Sequence, residues 1–160
     1  MRWEHFEHGA DVGVRGIGGT LSEAFEGAAS ALCSLVSGDP ASVRPAAEEE
    51  LTADAPDLES LLVRFLNELI SRMSAHRMVY GRISAAVTPG SDGVPARLSA
   101  RLLGEPIDLD RHEPTVEPKG ASFTLARVAR KEAPRRAEGD VGRGAQEAGD
   151  EWVAQCVVDV

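Results

Sequence analysis

Two stretches of the chain place apolar residues at the spacing of a helix with one buried face. The first follows Thr20-Leu21-Ser22-Glu23, a capping box that predicts a helix start, and Gly38-Asp39-Pro40 predicts its end. The second follows Asp57, a residue type that favours helix N-caps. Each stripe repeats at i, i+3, i+4 and i+7, which predicts two amphipathic helices. The stripes are Leu21, Ala24, Phe25, Ala28, Ala29, Leu32, Leu35 and Val36, then Leu58, Leu61, Leu62, Phe65, Leu66, Leu69, Ile70 and Met73.

Shorter stretches alternate between apolar and polar positions and predict strands. They are residues 12–17, 50–53, 79–87, 96–103, 121–128 and 152–160. The turn-forming run 89–93 predicts a hairpin between the third and fourth of them. This order predicts an α+β fold, a single domain over residues 1–160 with two amphipathic helices packed on a mainly antiparallel sheet.

Residues 131–149 have a different composition from the rest. Arg, Glu, Ala, Gly and Pro dominate, and large apolar side chains are almost absent. Such a stretch has little to contribute to a core, so we predict a mobile loop inserted between two strands.

Charge and composition exclude several classes of function. The 160 residues carry 17 basic and 26 acidic side chains, a net charge of −9, which argues against strong direct binding to nucleic acid. Aromatic residues make up 4%, too few for a base-stacking surface. No apolar run reaches the ~20 residues of a membrane helix, and no apolar signal region opens the chain. Cys33 and Cys156 form no C-x-x-C pair and are expected as reduced core thiols of a cytoplasmic protein.

A dense group of carboxylates and imidazoles lies near the N-terminus. Such groups can bind a divalent cation, but their spacing here matches no dedicated metal motif. A solvated polar segment leading into the first strand is the other interpretation. The group comprises Glu4, His5, Glu7, His8 and Asp11.

Two further features invite a chemical interpretation. Residues 16–19 are rich in glycine and precede a helix, yet they lack the spacing of a phosphate-binding loop, so a tight turn is favoured. Asp159 lies beside Val160 at the end of an apolar strand, where clustered negative charge favours a cation or a basic partner. Lys119 reads as a surface lysine and His112 as part of a polar loop.

Several motifs occur in an order that is typical of one family. They are residues 7–14 and 19–29, residues 57–70, Gly104-Glu105, Arg111-His112, residues 117–121 and residues 157–160. Together they span nearly the whole chain, and the chain resembles the archease family. It departs from that family at Gly9, where Thr is usual, and at Ser122-Phe123-Thr124, where a Thr-Tyr-His run is usual.

The resemblance implies a fold and a function. The fold is archease-like, a strand-helix-strand-strand unit with an inserted element. The function is that of a non-catalytic partner of an RtcB-type RNA ligase, promoting its guanylylation and multiple turnover in tRNA splicing or RNA repair. GTP and Mn²⁺ would be used by the ligase and not by this chain.

The resemblance also implies a site. A divalent cation, expected as Ca²⁺ with Mg²⁺ or Mn²⁺ as alternatives, would be bound by Asp11, Asp159 and Val160. Asp11, Lys119 and Asp159 would form the tip that activates the ligase. Two other interpretations remain: a small metal-dependent hydrolase that uses His5, His8 and Asp11, and a structural adaptor without a metal.

Overall fold

The fold contains eight strands and three helices in the part of the chain that the structure describes. The computed structural model describes residues 1–114, 116–132 and 149–160. The strands are β1 (Arg2–His8), β2 (Asp11–Gly18), β3 (Ala47–Ala55), β4 (Met78–Thr88), β5 (Ala96–Pro106), β6 (Gly120–Ala121), β7 (Arg127–Lys131) and β8 (Glu151–Asp159). The helices are α1 (Leu21–Ser37), α2 (Leu58–His76) and α3 (Leu109–His112).

The two long helices begin at the predicted caps. Thr20 Oγ1 accepts the Glu23 N–H at 3.1 Å, and Asp57 Oδ1 accepts the Ser60 N–H at 2.8 Å. The Glu23 carboxylate bonds the Gly19 N–H at 2.7 Å, one residue before the cap, and so fixes the path from β2 into α1. The apolar stripes of both helices face inward: most of their predicted positions belong to the hydrophobic core.

The strands form two antiparallel sheets and not the one that the sequence predicts. In the first sheet the order is β1-β2-β8-β6, and β7 also pairs with β8. In the second the order is β3-β5-β4, and it includes the predicted hairpin of β4 and β5. Alpha helices on antiparallel sheets confirm the α+β class. The core combines side chains of both sheets and helices, among them Val14, Phe25, Leu32, Leu51, Phe65, Leu69, Leu102 and Val158.

Gly16 lets α1 lie directly on β2. A Cβ atom at this position would be 2.0 Å from the Ala24 carbonyl oxygen and 2.2 Å from the Ala28 nitrogen. Both atoms belong to the backbone of α1, so no side-chain rotation could relieve the overlap. Gly16 therefore serves close packing of helix on strand. It lies within β2, as the predicted strand 12–17 has it, and of the predicted turn 16–19 only Gly19 follows the strand.

Several predicted boundaries differ from the structure. The polar N-terminal segment is itself a strand, β1, because it pairs along its whole length with β2. The predicted strand 121–128 is broken by a turn between β6 and β7, where Leu125 has a φ of 52°. Of the predicted loop 131–149, Lys131 ends β7, and residues 133–148 lie outside the described residues.

Candidate functional site

Asp11 and Asp159 come together at one end of the first sheet. The antiparallel register of β2 and β8 ends with the pair of Val12 and Val158, so Asp11 and Asp159 are the next residues of the two paired strands, and a continued register would oppose them. Residues opposed in this way share a face, with Cβ atoms about 5 Å apart. The Val160 N–H also points at Asp11, 3.4 Å from its Oδ1 atom.

Lys119, the residue before β6, lies at the same end of the sheet. Its backbone N–H donates to the Asp159 carbonyl at 2.8 Å, and the next residue, Gly120, pairs with Asp159. The Lys119 and Asp159 side chains are exposed, and that of Asp11 is partly buried. The structure thus gathers all four residues that the resemblance implied. We call Asp11, Lys119, Asp159 and Val160 the acidic tip.

The donor atoms of the acidic tip suit a hard cation. Like charges directly opposite each other in a sheet are unfavourable, and a bound cation would remove that repulsion. Carboxylate and main-chain oxygens are the ligands that Ca²⁺ and Mg²⁺ prefer. Within residues 1–114, 116–132 and 149–160, no three His, Cys, Asp or Glu side chains converge to hold a metal. The two aspartates would therefore need main-chain oxygens, water or a partner's groups to complete the shell.

The three residues of the hydrolase interpretation do not form one site. His8 pairs with Asp11 in the β1–β2 register, so these two share a face. The His5 ring lies against α1 instead, where its Nε2 atom is 2.8 Å from the Ala31 carbonyl oxygen and 3.1 Å from Ser34 Oγ. The alternation of side chains along β1 separates His5 from His8, and the structure offers no support for a shared metal.

A second cluster of polar side chains surrounds Glu105. In the sequence this residue stands out only as part of the Gly104-Glu105 motif. Its Oε1 atom accepts the Arg44 N–H at 3.1 Å, Arg111 Nη2 at 2.5 Å and His112 Nε2 at 2.9 Å. Burial by itself would raise the pKa of Glu105, but these three donors outweigh it and lower the pKa to about 2. Glu105 is therefore a buried anion held by charged and neutral donors.

His112 is buried, and the hydrogen bonds of its two ring nitrogens indicate its tautomer. The Asp108 N–H donates to Nδ1 at 2.8 Å, so the proton lies on Nε2, which donates to Glu105. The predicted polar loop around His112 is wrong: the residue ends α3 and is 3% exposed. Both partners of His112 are near in sequence, the Asp108 N–H just before α3 and the Glu105 carboxylate at the end of β5.

The Glu105 cluster positions the segment that leads to the acidic tip. It ties α3 to the end of β5 and, through Arg44, to the connection before β3. Residues 114 and 116–118 follow α3 and lie near the C-terminal ends of α1 and α2. A cavity of about 490 Å³ lies beneath this segment, lined by Val36, Ile70, Met73, Ser74, Arg77, Met78, Ile107, Leu109, Pro114, Val116, Glu117 and Pro118.

The cysteines are not candidates for nucleophiles. Cys33 and Cys156 are free thiols with 1% and 0% exposure. Burial raises the pKa of each to about 12, so both stay protonated at neutral pH. Their predicted place in the core is confirmed.

None of the helices that the structure describes is long and apolar enough to cross a membrane. This statement covers residues 1–114, 116–132 and 149–160.

Comparison with known proteins gives one consistent result. A model of the archease protein family matches residues 3–160. The chain is 39% identical over 127 residues to protein archease of Thermococcus gammatolerans, covering 79% of this chain and 87% of that protein. It is 32% identical over 159 residues to protein archease of Pyrococcus furiosus, covering 99% of both.

Solved structures show the same fold. The solution structure of Methanobacterium thermoautotrophicum protein 1598 aligns with a TM-score of 0.69 at 23% identity, over 99% of this chain and 98% of the other. A Thermotoga maritima crystal structure, described as an archease and possible chaperone, aligns with a TM-score of 0.50 at 18% identity, over 100% and 98%. The family match over nearly the whole length, the two archease relatives and the shared fold lead to one conclusion: this chain belongs to the archease family.

Proposed function

We propose that this protein is a non-catalytic cofactor that activates an RtcB-type RNA ligase. It would promote guanylylation and multiple turnover of the ligase in cytoplasmic tRNA splicing or RNA repair. The observation that carries the proposal is the acidic tip, in which two aspartates and a lysine converge at one end of the first sheet. Burial in the core is not the reason for this convergence, because the Asp159 and Lys119 side chains remain exposed.

The chemistry of the tip fits a helper more closely than an enzyme. Two aspartates and a lysine gathered at one end of a sheet can contact a metal-bearing, phosphate-binding site on another protein. The net charge of −9 favours contact with a basic partner surface over contact with RNA itself. In this proposal the ligase binds GTP, Mn²⁺ and the RNA ends, and this protein orders the ligase site.

A divalent cation forms part of the proposal. Asp11, Asp159 and a main-chain oxygen of Val160 would hold it, with Ca²⁺ as the preferred ion and Mg²⁺ or Mn²⁺ as alternatives. When bound, the cation would neutralise the two carboxylates and fix their directions. The pairing of β2 with β8 supports the proposal because it brings the two aspartates to one sheet end, and the hydrogen bond of the Lys119 N–H to the Asp159 carbonyl supports a role for the lysine there.

A multiple-turnover ligation assay tests this proposal. It uses the cognate ligase, GTP, Mn²⁺ and an RNA with ligatable ends, with and without the protein. We expect the wild type to raise turnover, and Asp11→Asn, Asp159→Asn and Lys119→Met each to lower that stimulation by at least tenfold. Asp92→Asn, an exposed aspartate in the β4–β5 hairpin, is the matched control and should act as wild type.

Two results would contradict the proposal. One is the absence of any stimulation by the wild-type protein at saturating concentration. The other is full stimulation by both aspartate variants, which would leave the acidic tip without a role.

A further inference from the structure

The turn between β6 and β7 exposes two large apolar side chains beside the acidic tip. Phe123 is 64% exposed and Leu125 is 54% exposed. In the described parts of the chain, only three other large apolar residues are more than half exposed. They are Met1, Val94 and Leu109, which lie far from one another in sequence. We call residues 122–126 the apolar turn.

Hydrogen bonds hold the apolar turn against β8. The Ser122 N–H donates to the Val157 carbonyl at 2.9 Å, and the Val157 N–H donates to the Thr124 carbonyl at 3.1 Å. The Gln155 amide donates to the Leu125 carbonyl at 3.2 Å, and Ala126 N–H closes the turn onto Phe123 at 3.0 Å. The two apolar side chains are therefore presented on a fixed backbone.

The backbone of Leu125 is unfavourable for its side chain. Its φ of 52° lies in the left-handed region, where glycine or asparagine is favoured and a branched aliphatic residue is rare. Burial does not explain the leucine, since half of its side chain faces solvent. A strained, exposed apolar residue at a fixed position is a feature of functional surfaces.

The apolar turn and the acidic tip are neighbours along β8. Val157 and Gln155, which hold the turn, lie on the same strand as Asp159, and the turn follows Lys119 by three residues in the chain. Apolar anchors flanked by charged groups are the usual anatomy of a protein–protein interface. The negative charge of the neighbouring aspartates disfavours RNA as the occupant.

We propose that Phe123 and Leu125 anchor this protein to an apolar pocket on the surface of the same ligase, next to the site that receives the acidic tip. This inference rests on the proposed function and assigns it a division of labour. The apolar turn supplies affinity, and the acidic tip supplies the activating chemistry.

Binding and turnover measured together test the division. We expect Phe123→Ala to weaken binding to the cognate ligase by about tenfold, with turnover restored once the protein is saturating. Leu125→Asn should also weaken binding, while its melting temperature stays at or above that of wild type because asparagine tolerates the left-handed backbone. Val94→Ala, which truncates an exposed apolar residue of the β4–β5 hairpin, is the control and should bind as wild type.

The outcomes separate this inference from the proposed function. If the wild type stimulates the ligase but Phe123→Ala and Leu125→Asn bind it as tightly as wild type, the anchor is wrong and the function stands. If both variants lose binding to the RNA alone instead, the turn is a base-stacking surface and the inference is overturned. If the wild type neither binds nor stimulates, the proposed function fails, and the anchor fails with it.

Discussion

The Val160 N–H lies 3.4 Å from Oδ1 of Asp11, across a separation of 149 residues in the chain. This contact exists only when β2 and β8 are paired, so the acidic tip is a property of the folded state. A ligand that binds there binds the native protein alone and must stabilise it.

Calcium should raise the melting temperature of the wild-type protein if the acidic tip is a cation site. At a free concentration of 100 times Kd the gain is about 2.7 kcal/mol, which corresponds to several degrees for a chain of this size. Asp159→Asn should lose most of the rise, and without calcium it should melt no lower than wild type because it removes a like-charge contact.

Thermal melts with and without millimolar Ca²⁺ measure this effect, and Asp92→Asn serves as the matched control. An equal rise in wild type and Asp159→Asn would show that the cation binds elsewhere. No rise in wild type with Ca²⁺, Mg²⁺ or Mn²⁺ would favour the metal-free adaptor.

Glu105→Gln should lower stability by several degrees near neutral pH. The substitution removes the buried charge of Glu105 and so weakens its contacts with the partly exposed Arg111 guanidinium and with His112. The folded-state pKa of Glu105, about 2, lies below its ordinary value of 4.5, so its charge stabilises the fold above pH 4.5. That contribution falls as the pH drops from about 4.5 toward 2.

Melts of wild type and Glu105→Gln from pH 7 down to pH 2.5 should therefore converge. A difference that stays constant over this range would mean that the charge of Glu105 does not stabilise the fold. Glu50→Gln, on an exposed position of β3, controls for the general effect of losing a carboxylate.

Gly16→Ala should destabilise the fold by about 3 kcal/mol or more, because its Cβ would overlap the backbone of α1. Gly19→Ala is the matched control, since the nearest atom to its Cβ is Glu23 Oε2 at 3.5 Å. Urea unfolding followed by circular dichroism gives both values. Equal midpoints for the two variants would show that α1 does not rest on Gly16.

Cys33 and Cys156 should resist thiol reagents while the protein is folded. With a pKa of about 12 for each, about one thiol in ten thousand is ionised at pH 8, and burial excludes the reagent as well. Reaction with a disulfide reagent should therefore be slow in buffer and complete in denaturant. Rapid native labelling of either thiol would contradict their place in the core.

The sequence located the elements whose signals are local. The Thr20 and Asp57 caps, the stripes of α1 and α2 and the alternation of β5 all involve residues within a few positions of one another. β1 was missed because its polar composition hides its pairing with β2, and that pairing involves a partner strand. The break at Leu125 was missed because nothing in an alternating pattern signals a left-handed backbone.

The acidic tip could be predicted from the sequence to a greater extent than the Glu105 cluster. Resemblance to a family indicated Asp11, Lys119, Asp159 and Val160 as a group, although no spacing rule connects them. Glu105 carried no signal of burial, because its donors at Arg44, Arg111 and His112 converge only after β5, α3 and the segment before β3 have packed.

By itself, the sequence determined the two amphipathic helices, the α+β class and the acidic balance. Hydrophobic periodicity and capping depend on residues that are close together in the chain, and net charge depends on composition alone. Only the tertiary structure decided that there are two sheets, that His5 faces α1 away from His8, and that the pairing of β2 with β8 brings Asp11 to the end of β8 that carries Asp159. The physical reason is that strand register and sheet order are set by long-range backbone pairing and by burial of the shared core. Residues far apart in the chain therefore acquire a common chemistry only on folding.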